Sequence, residues 1–233
     1  MPREIEMSMD EARALVADQA LWPRVRDFLW DFAPQIHRSW LEGIGIETID
    51  PSLVFHPSVK RHILSSLGVS PCFHSFPKDD WSRLLLLDGA TLGEVAKWLG
   101  ALACAGDLRR VTDGATVRAL KAALPGVYPE VFGYTMYFKM FDSQRRAVEP
   151  QGSDSPAGGG RTPAVEDVVS TGLSMFVSLL ETLPDSLVSR LKLKLPKSFI
   201  NGCVMVEVNP EAAKTALARL LKLKFPEAYK LCC

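Results

Sequence analysis

The stretch that decides the fold is residues 84–128, which read LLLLDGATLGEVAKWLGALACAGDLRRVTDGATVRALKAALPGVY. Apolar residues recur within it at helical spacing, in the order Val95, Trp98, Leu99 and Leu102. Spacings of three and four residues place side chains on one face of an α-helix. The stretch therefore predicts an amphipathic helix that buries this face in a core.

The same helix start occurs twice in this stretch. Asp-Gly-Ala-Thr lies at 88–91 and again at 113–116. An aspartate ahead of a helix accepts hydrogen bonds from the free backbone N–H groups of the first turn. Neither copy carries the alternating acidic ligands of a calcium loop. We therefore predict two helices, one capped by Asp88 and the other by Asp113.

The rest of the chain is also predicted to be mostly helical. Cys203–Val208 is the best strand candidate, and an isolated strand needs a partner. We predict an all-α fold, an irregular multi-helix domain with a smaller helical C-terminal part and at most one short strand pair. Three further apolar stripes carry this prediction: Val25, Phe28, Leu29 and Phe32; Val169, Leu173, Phe176, Val177 and Leu180; and Ala213, Ala216, Leu217, Leu220 and Leu221.

One segment interrupts the helical pattern. Residues 143–163 read SQRRAVEPQGSDSPAGGGRTP and are rich in Gly, Pro and Ser. This composition, without apolar periodicity, is typical of a flexible linker. We therefore expect an N-terminal helical domain at 1–142 and a C-terminal helical part at 164–233.

Composition excludes several function classes. The chain has 27 Lys and Arg residues against 27 Asp and Glu, which argues against a dedicated nucleic-acid binder. A hydrophobic content of 47% argues against a disordered chain. No run approaches the about 20 apolar residues of a membrane span, and the N-terminus lacks a signal-peptide pattern. The five cysteines are odd in number, which argues against a disulfide framework. We expect a cytoplasmic protein.

Few residues in the sequence indicate metal binding or catalysis. His56, His62, Cys72 and His74 lie close together in sequence and are residue types that bind zinc. Their spacing matches no familiar zinc motif, so packed or surface side chains are the simpler interpretation. A small metal-dependent enzyme built on these four residues is kept as an alternative. No other constellation indicates catalysis, and we expect a non-enzymatic protein without a cofactor.

The C-terminal segment from Asp185 to Cys233 is basic, with nine Lys and Arg residues against four Asp and Glu. A positive surface attracts acidic proteins or anionic membranes. A solvated face of amphipathic helices is the simpler interpretation. A peripheral membrane protein held by these lysines is therefore a second alternative.

Residues 84–128 also resemble the K-type accessory subunit of bacterial type III secretion systems, the YscK family. Arg190–Pro196 and Phe225–Tyr229 are similar as well, whereas residues 1–50 and the linker are not. The motifs that carry the resemblance are, in order, Gly89-Ala90, Trp98-Leu99-Gly100, Leu108-Arg109-Arg110-Val111 and Asp113-Gly114-Ala115.

The resemblance implies a structural adaptor of the injectisome, within the sorting platform at the cytoplasmic face of the bacterial inner membrane. Family members link the cytoplasmic domain of the inner-membrane ring protein to the pod protein. The resemblance implies no catalytic residue and no cofactor, and we expect neither nucleic-acid binding nor direct membrane insertion. Charges that flank apolar helix ends are our candidates for partner contact: Arg109, Arg110, Lys192, Lys194, Lys222 and Lys224.

Overall fold

The protein is mostly helical in the part that its structure, a computed structural model, describes. The described residues are 19–46, 56–69, 76, 80–135, 165–180, 183–201 and 210–232. Of these residues, 78% are helical and none forms a strand, which confirms the predicted all-α class. The strand candidate Cys203–Val208 and the predicted linker 143–163 lie outside the described residues.

The described α-helices are short to medium in length and are separated by turns and 3-10 helices. The 3-10 helices span Gln19–Leu21, Ala33–Gln35 and Asp80–Leu86. In chain order the α-helices are α1 (Trp22–Leu29), α2 (Arg38–Glu42), α3 (Pro57–Ser66), α4 (Gly89–Ala103), α5 (Ala105–Arg110), α6 (Gly114–Ala123), α7 (Val131–Tyr134), α8 (Val165–Leu179), α9 (Asp185–Leu193), α10 (Lys197–Asn201), α11 (Pro210–Lys224) and α12 (Pro226–Cys232).

The chain divides into two compact units, and neither unit is continuous in sequence. Unit 1 consists of Met1–Leu92, Leu180–Lys197 and Lys230–Cys233. Unit 2 consists of Gly93–Leu179 and Ser198–Tyr229. Each unit therefore takes segments from both sides of the predicted linker, whereas the predicted domains 1–142 and 164–233 are continuous stretches.

The core of unit 1 forms around α1. Val25, Phe28 and Phe32 of the first predicted apolar stripe are at most 1% exposed, as the helical spacing predicts. Phe28 packs edge-to-face against Phe32, with 5.6 Å between ring centroids. Pro23 stands in the first turn, where its fixed φ suits helix initiation and its missing N–H costs no hydrogen bond. The stripe thus folds as a helix because its apolar face has a core to enter.

Unit 2 contains a very close crossing of α4 and α8. A Cβ atom placed on Gly100 would lie 1.7 Å from the carbonyl oxygen of Val168. One placed on Gly172 would lie 1.9 Å from the carbonyl oxygen of Ala96. Real Cβ atoms do not approach backbone oxygens so closely, so the two helices cross in direct backbone contact. Glycine at both positions is what permits this crossing.

Both predicted helix caps are present. The Thr91 backbone N–H donates to the Asp88 carboxylate at 2.8 Å, and the Thr116 N–H donates to Asp113 at 2.7 Å. Each threonine hydroxyl also donates to the same carboxylate, at 2.7 Å in both copies. The repeated Asp-Gly-Ala-Thr motif is therefore a repeated N-terminal cap, as the sequence predicts.

Candidate functional site

The six positions predicted to contact partners divide between the two units. Lys192 and Lys194 belong to unit 1. The other four belong to unit 2, namely Arg109, Arg110, Lys222 and Lys224. Their surroundings range from the core of unit 1 to the exposed surface of unit 2.

Lys194 lies inside unit 1, only 2% exposed. Its Nζ donates to the carbonyl oxygen of Leu85 at 2.6 Å and to that of Leu87 at 2.9 Å. The same nitrogen stands 4.9 Å from the centre of the Phe28 ring. The side-chain nitrogen of Lys194 therefore makes its contacts with other residues of unit 1. The structure therefore places Lys194 in the core instead of at a surface where a partner could reach it.

Burial changes the acid–base behaviour of Lys194. Loss of solvation lowers its pKa from the ordinary 10.5 to about 7. The charge of Asp88 opposes this effect by favouring the ammonium, and the charge of Arg24 adds to it. Near neutral pH the folded protein therefore holds Lys194 in both protonated and neutral forms.

Arg190, one turn earlier on α9, is a second buried cation that the sequence analysis did not single out. It is 1% exposed, and its Nη1 donates to the carbonyl oxygens of Phe28 and Leu29, each at 2.7 Å. Its guanidinium carbon lies 5.5 Å from the centre of the Phe32 ring. The two carbonyls end α1, where helix carbonyls lack partners within the helix and the dipole is negative. Arg190 therefore caps the C-terminus of α1.

A sequence signal for this burial exists in α9. Leu187, Arg190, Leu191 and Lys194 follow each other at spacings of three, one and three residues, so they share one helix face. Both leucines are at most 2% exposed. Arginine and lysine on an otherwise apolar face usually extend their charged ends to water. Less often they are buried cations, which are rare in proteins.

Lys224, at the end of α11, is held by an acid and two aromatic rings. Its Nζ lies 2.5 Å from the Glu130 carboxylate, 4.6 Å from the Trp98 ring centre and 4.7 Å from that of Tyr134. The hydrogen bond that Lys224 donates to the Glu130 carboxylate raises the pKa of Lys224, against a smaller lowering by burial. The ammonium stays charged at neutral pH and ties the end of α11 to α7.

Arg109, which precedes α7 in the chain, also contacts α7. Its guanidinium donates to the Phe132 carbonyl oxygen and the Thr135 hydroxyl, and it lies 5.8 Å from the Phe132 ring centre. Arg109 and Lys224 thus both hold the four-residue helix α7. Both predicted contact residues therefore stabilise the position of α7 within unit 2.

The remaining predicted positions lie nearer to solvent. The Arg110 side chain is 74% exposed and stands 3.9 Å from the Asp107 carboxylate. Lys222 is exposed, and Lys192 is half-buried. Of the six predicted positions, Arg110 and Lys222 therefore offer the most accessible positive charge.

The candidate metal ligands can be placed only in part. His56 precedes α3 and His62 lies within it, and both are exposed. Cys72 and His74 lie outside the described residues. Within the described part of the chain, no three His, Cys, Asp or Glu side chains are grouped so that they could hold a metal ion.

None of the described helices is both long enough and apolar enough to cross a bilayer.

Comparison with known proteins returned no relatives: no protein-family model, no curated protein and no solved structure matches the chain. The resemblance of residues 84–128 to the YscK family therefore rests on the motifs quoted above.

Proposed function

We propose that this protein is a non-enzymatic adaptor of a type III secretion sorting platform, at the cytoplasmic face of the bacterial inner membrane. In this role it links the cytoplasmic domain of the inner-membrane ring protein to the pod protein. The resemblance of residues 84–128 to the YscK family carries the proposal. This stretch folds as α4, α5 and α6, so the motifs that carry the resemblance belong to one continuous run of helices.

The exposure of α6 supports this proposal. Among the ten residues of α6, Leu120 is the buried one, and Leu124 continues its anchoring face just beyond the helix. Arg118 and Lys121 are exposed on the same helix. A helix that gives so little of its surface to its own core leaves most of that surface open to a partner, as an adaptor requires.

Charge indicates the chemistry of such a partner. Arg110 at the end of α5 is exposed together with Arg118 and Lys121, while the nearby Asp113 is engaged as a helix cap. The accessible charge of this region is therefore positive. An acidic partner surface would be attracted to it, chiefly by faster association at low ionic strength.

Co-purification with the cognate pod protein, and separately with the cytoplasmic domain of the ring protein, tests the proposal. We expect at least one complex to form, and we expect Arg110→Glu with Lys222→Glu to weaken it by about tenfold or more, a loss of about 1.4 kcal/mol. Arg38→Glu is the matched control, because Arg38 is equally exposed but lies in unit 1. Failure of the intact protein to bind either cognate partner would contradict the adaptor role.

A further inference from the structure

The contact between the end of α9 and the turn before α4 is built around Lys194. The side-chain nitrogen of Lys194 bridges the carbonyls of Leu85 and Leu87. Its own backbone takes part as well, because a Cβ atom on Gly89 would lie 2.3 Å from the Lys194 carbonyl oxygen. We call this contact, formed by Lys194, Leu85, Leu87 and Gly89, the Lys194 joint.

The hydrogen bonds of the joint do not require a charge. A neutral amine carries two N–H donors, which is the number needed to serve the two carbonyls of Leu85 and Leu87. The ammonium makes the same two bonds but must also lose most of its hydration at a position that is 2% exposed. Proton release therefore keeps the contacts of the joint and removes the cost of burying a charge.

Three other charged groups act on Lys194 or lie beside it in unit 1. Asp88, at the start of α4, favours the ammonium, and Arg24 on α1 disfavours it. Arg190, one turn earlier on α9, is buried and bound to the end of α1. Burial raises the pKa of Asp88, but the hydrogen bonds that its carboxylate accepts, chiefly from Thr91, together lower it below its ordinary value, so Asp88 is ionised at neutral pH. Lys194 is the member of this group whose pKa lies near neutrality.

We propose that the Lys194 joint is a proton-sensitive element of unit 1, which closes when Lys194 is neutral and loosens when Lys194 binds a proton. Protonation draws the Lys194 side chain toward water, and this motion separates the end of α9 from the Leu85–Gly89 turn. The Phe28 ring, which the Lys194 nitrogen now covers, becomes accessible in the loosened state.

The sign of the pH dependence follows from the two protonation states. The pKa of Lys194 is about 7 in the folded protein and 10.5 as an ordinary lysine. Between these values the unfolded chain binds one proton more than the folded chain, so the free energy of unfolding rises with pH. The stabilisation is complete above about pH 10.5 and is lost progressively as the pH falls to about 7, in the direction opposite to that of an ordinary lysine in an ion pair.

Chemical unfolding of the full-length protein between about pH 6 and pH 9 tests the proposal. Relative to Lys194→Met, we expect the unfolding constant of the wild type to fall by about tenfold per pH unit above pH 7. Lys192→Met is the control, since Lys192 lies on the same helix but is only half-buried, and it keeps the wild-type slope. Parallel profiles of the wild type and Lys194→Met would overturn the proposal.

Two measurements on the wild type keep the proposal testable if Lys194→Met fails to fold. The first is the NMR titration of the Lys194 side-chain carbon next to Nζ; a midpoint near pH 7 supports the proposal and one near 10 overturns it. The second is amide hydrogen exchange, corrected for its intrinsic pH dependence. We expect protection of residues 84–92 and 189–197 to fall selectively below pH 7. An even loss over all described helices would exclude a local joint.

Discussion

The two Asp-Gly-Ala-Thr helix starts share their sequence and their cap geometry, yet they lead into helices with different surroundings. After the first start, α4 is buried along most of its length, with Leu92, Val95 and Leu99 at most 1% exposed. After the second, α6 has Leu120 as its buried residue. The comparison shows that the cap determines where a helix begins, whereas the residues after it determine whether the helix enters a core.

The glycines of the two motifs, Gly89 and Gly114, also differ in how closely other atoms approach them. A Cβ atom on Gly89 would lie 2.3 Å from the Lys194 carbonyl oxygen, which is rigid backbone. A Cβ atom on Gly114 would have the end of the Arg118 side chain at 3.6 Å, an ordinary contact. Glycine is therefore required by packing in the first copy and is free to vary in the second.

The largest effect is expected where α4, the buried member of the pair, crosses α8. Gly100→Ala places a methyl group 1.7 Å from the Val168 carbonyl oxygen and forces the helices apart. We expect a loss of about 3 kcal/mol or more in the free energy of unfolding, at or beyond the upper end for overpacked cores. Denaturant unfolding measures it. A loss below about 1 kcal/mol would mean that α4 and α8 are far enough apart at Gly100 to accommodate a methyl group.

The next largest effect on stability is expected from alanine substitutions at the glycines of the two Asp-Gly-Ala-Thr motifs. We expect Gly89→Ala to cost about 1–3 kcal/mol, because the backbone of Lys194 must move. Gly114→Ala is the matched control in identical local sequence. It should leave stability unchanged or raise it by up to about 1 kcal/mol, because alanine reduces the freedom of the unfolded chain. Equal losses for the two variants would contradict the packing difference between them.

The smallest effect concerns the caps. Asp88→Ala should cost about 1 kcal/mol through loss of the bonds from Thr91. Asp113→Ala should cost less, because α6 contributes little to a core and can fray locally. Asp88→Asn and Asp113→Asn are the controls, since asparagine also caps helices well. Denaturation followed by circular dichroism measures the stability of the Ala and Asn variants at both positions.

The pH dependence of the two caps sharpens this prediction. Burial raises the pKa of Asp88, but hydrogen bonds from Thr91 outweigh it, and the net pKa lies below 3.8. Hydrogen bonds from Thr116 lower the pKa of Asp113 as well. A carboxylate with a lowered pKa stabilises the fold above its ordinary pKa and loses that contribution as the pH falls through the folded value. The Asn variants should lack this acid-dependent component.

Local sequence was sufficient to predict the class of the fold and both caps. Helical spacing identified the buried face of α1, and the side chains of Asp88 and Asp113 bond within their own first turns. These features depend on residues three or four positions apart, so they can be recognised without knowing which distant segments meet.

The surroundings of the predicted contact residues could not be predicted in this way. Lys194 and Arg190 are buried because carbonyls of Leu85, Leu87, Phe28 and Leu29, far away in sequence, receive their hydrogen bonds. A lysine at the end of a leucine-rich helix has the same sequence signature whether its ammonium reaches water or a distant carbonyl. Charge alone therefore identified candidates but did not separate exposed cations from buried ones.

The discontinuous composition of unit 1 has a consequence for how the protein is made. Residues 1–92 leave the ribosome well before residues 180–197 have been translated. Until then the carbonyls that end α1 lack the arginine that caps them, and the apolar face of α1 lacks α9. The apolar face of α1 therefore stays uncovered until most of the chain has been synthesised, and exposed apolar surface of this kind favours aggregation of a nascent chain.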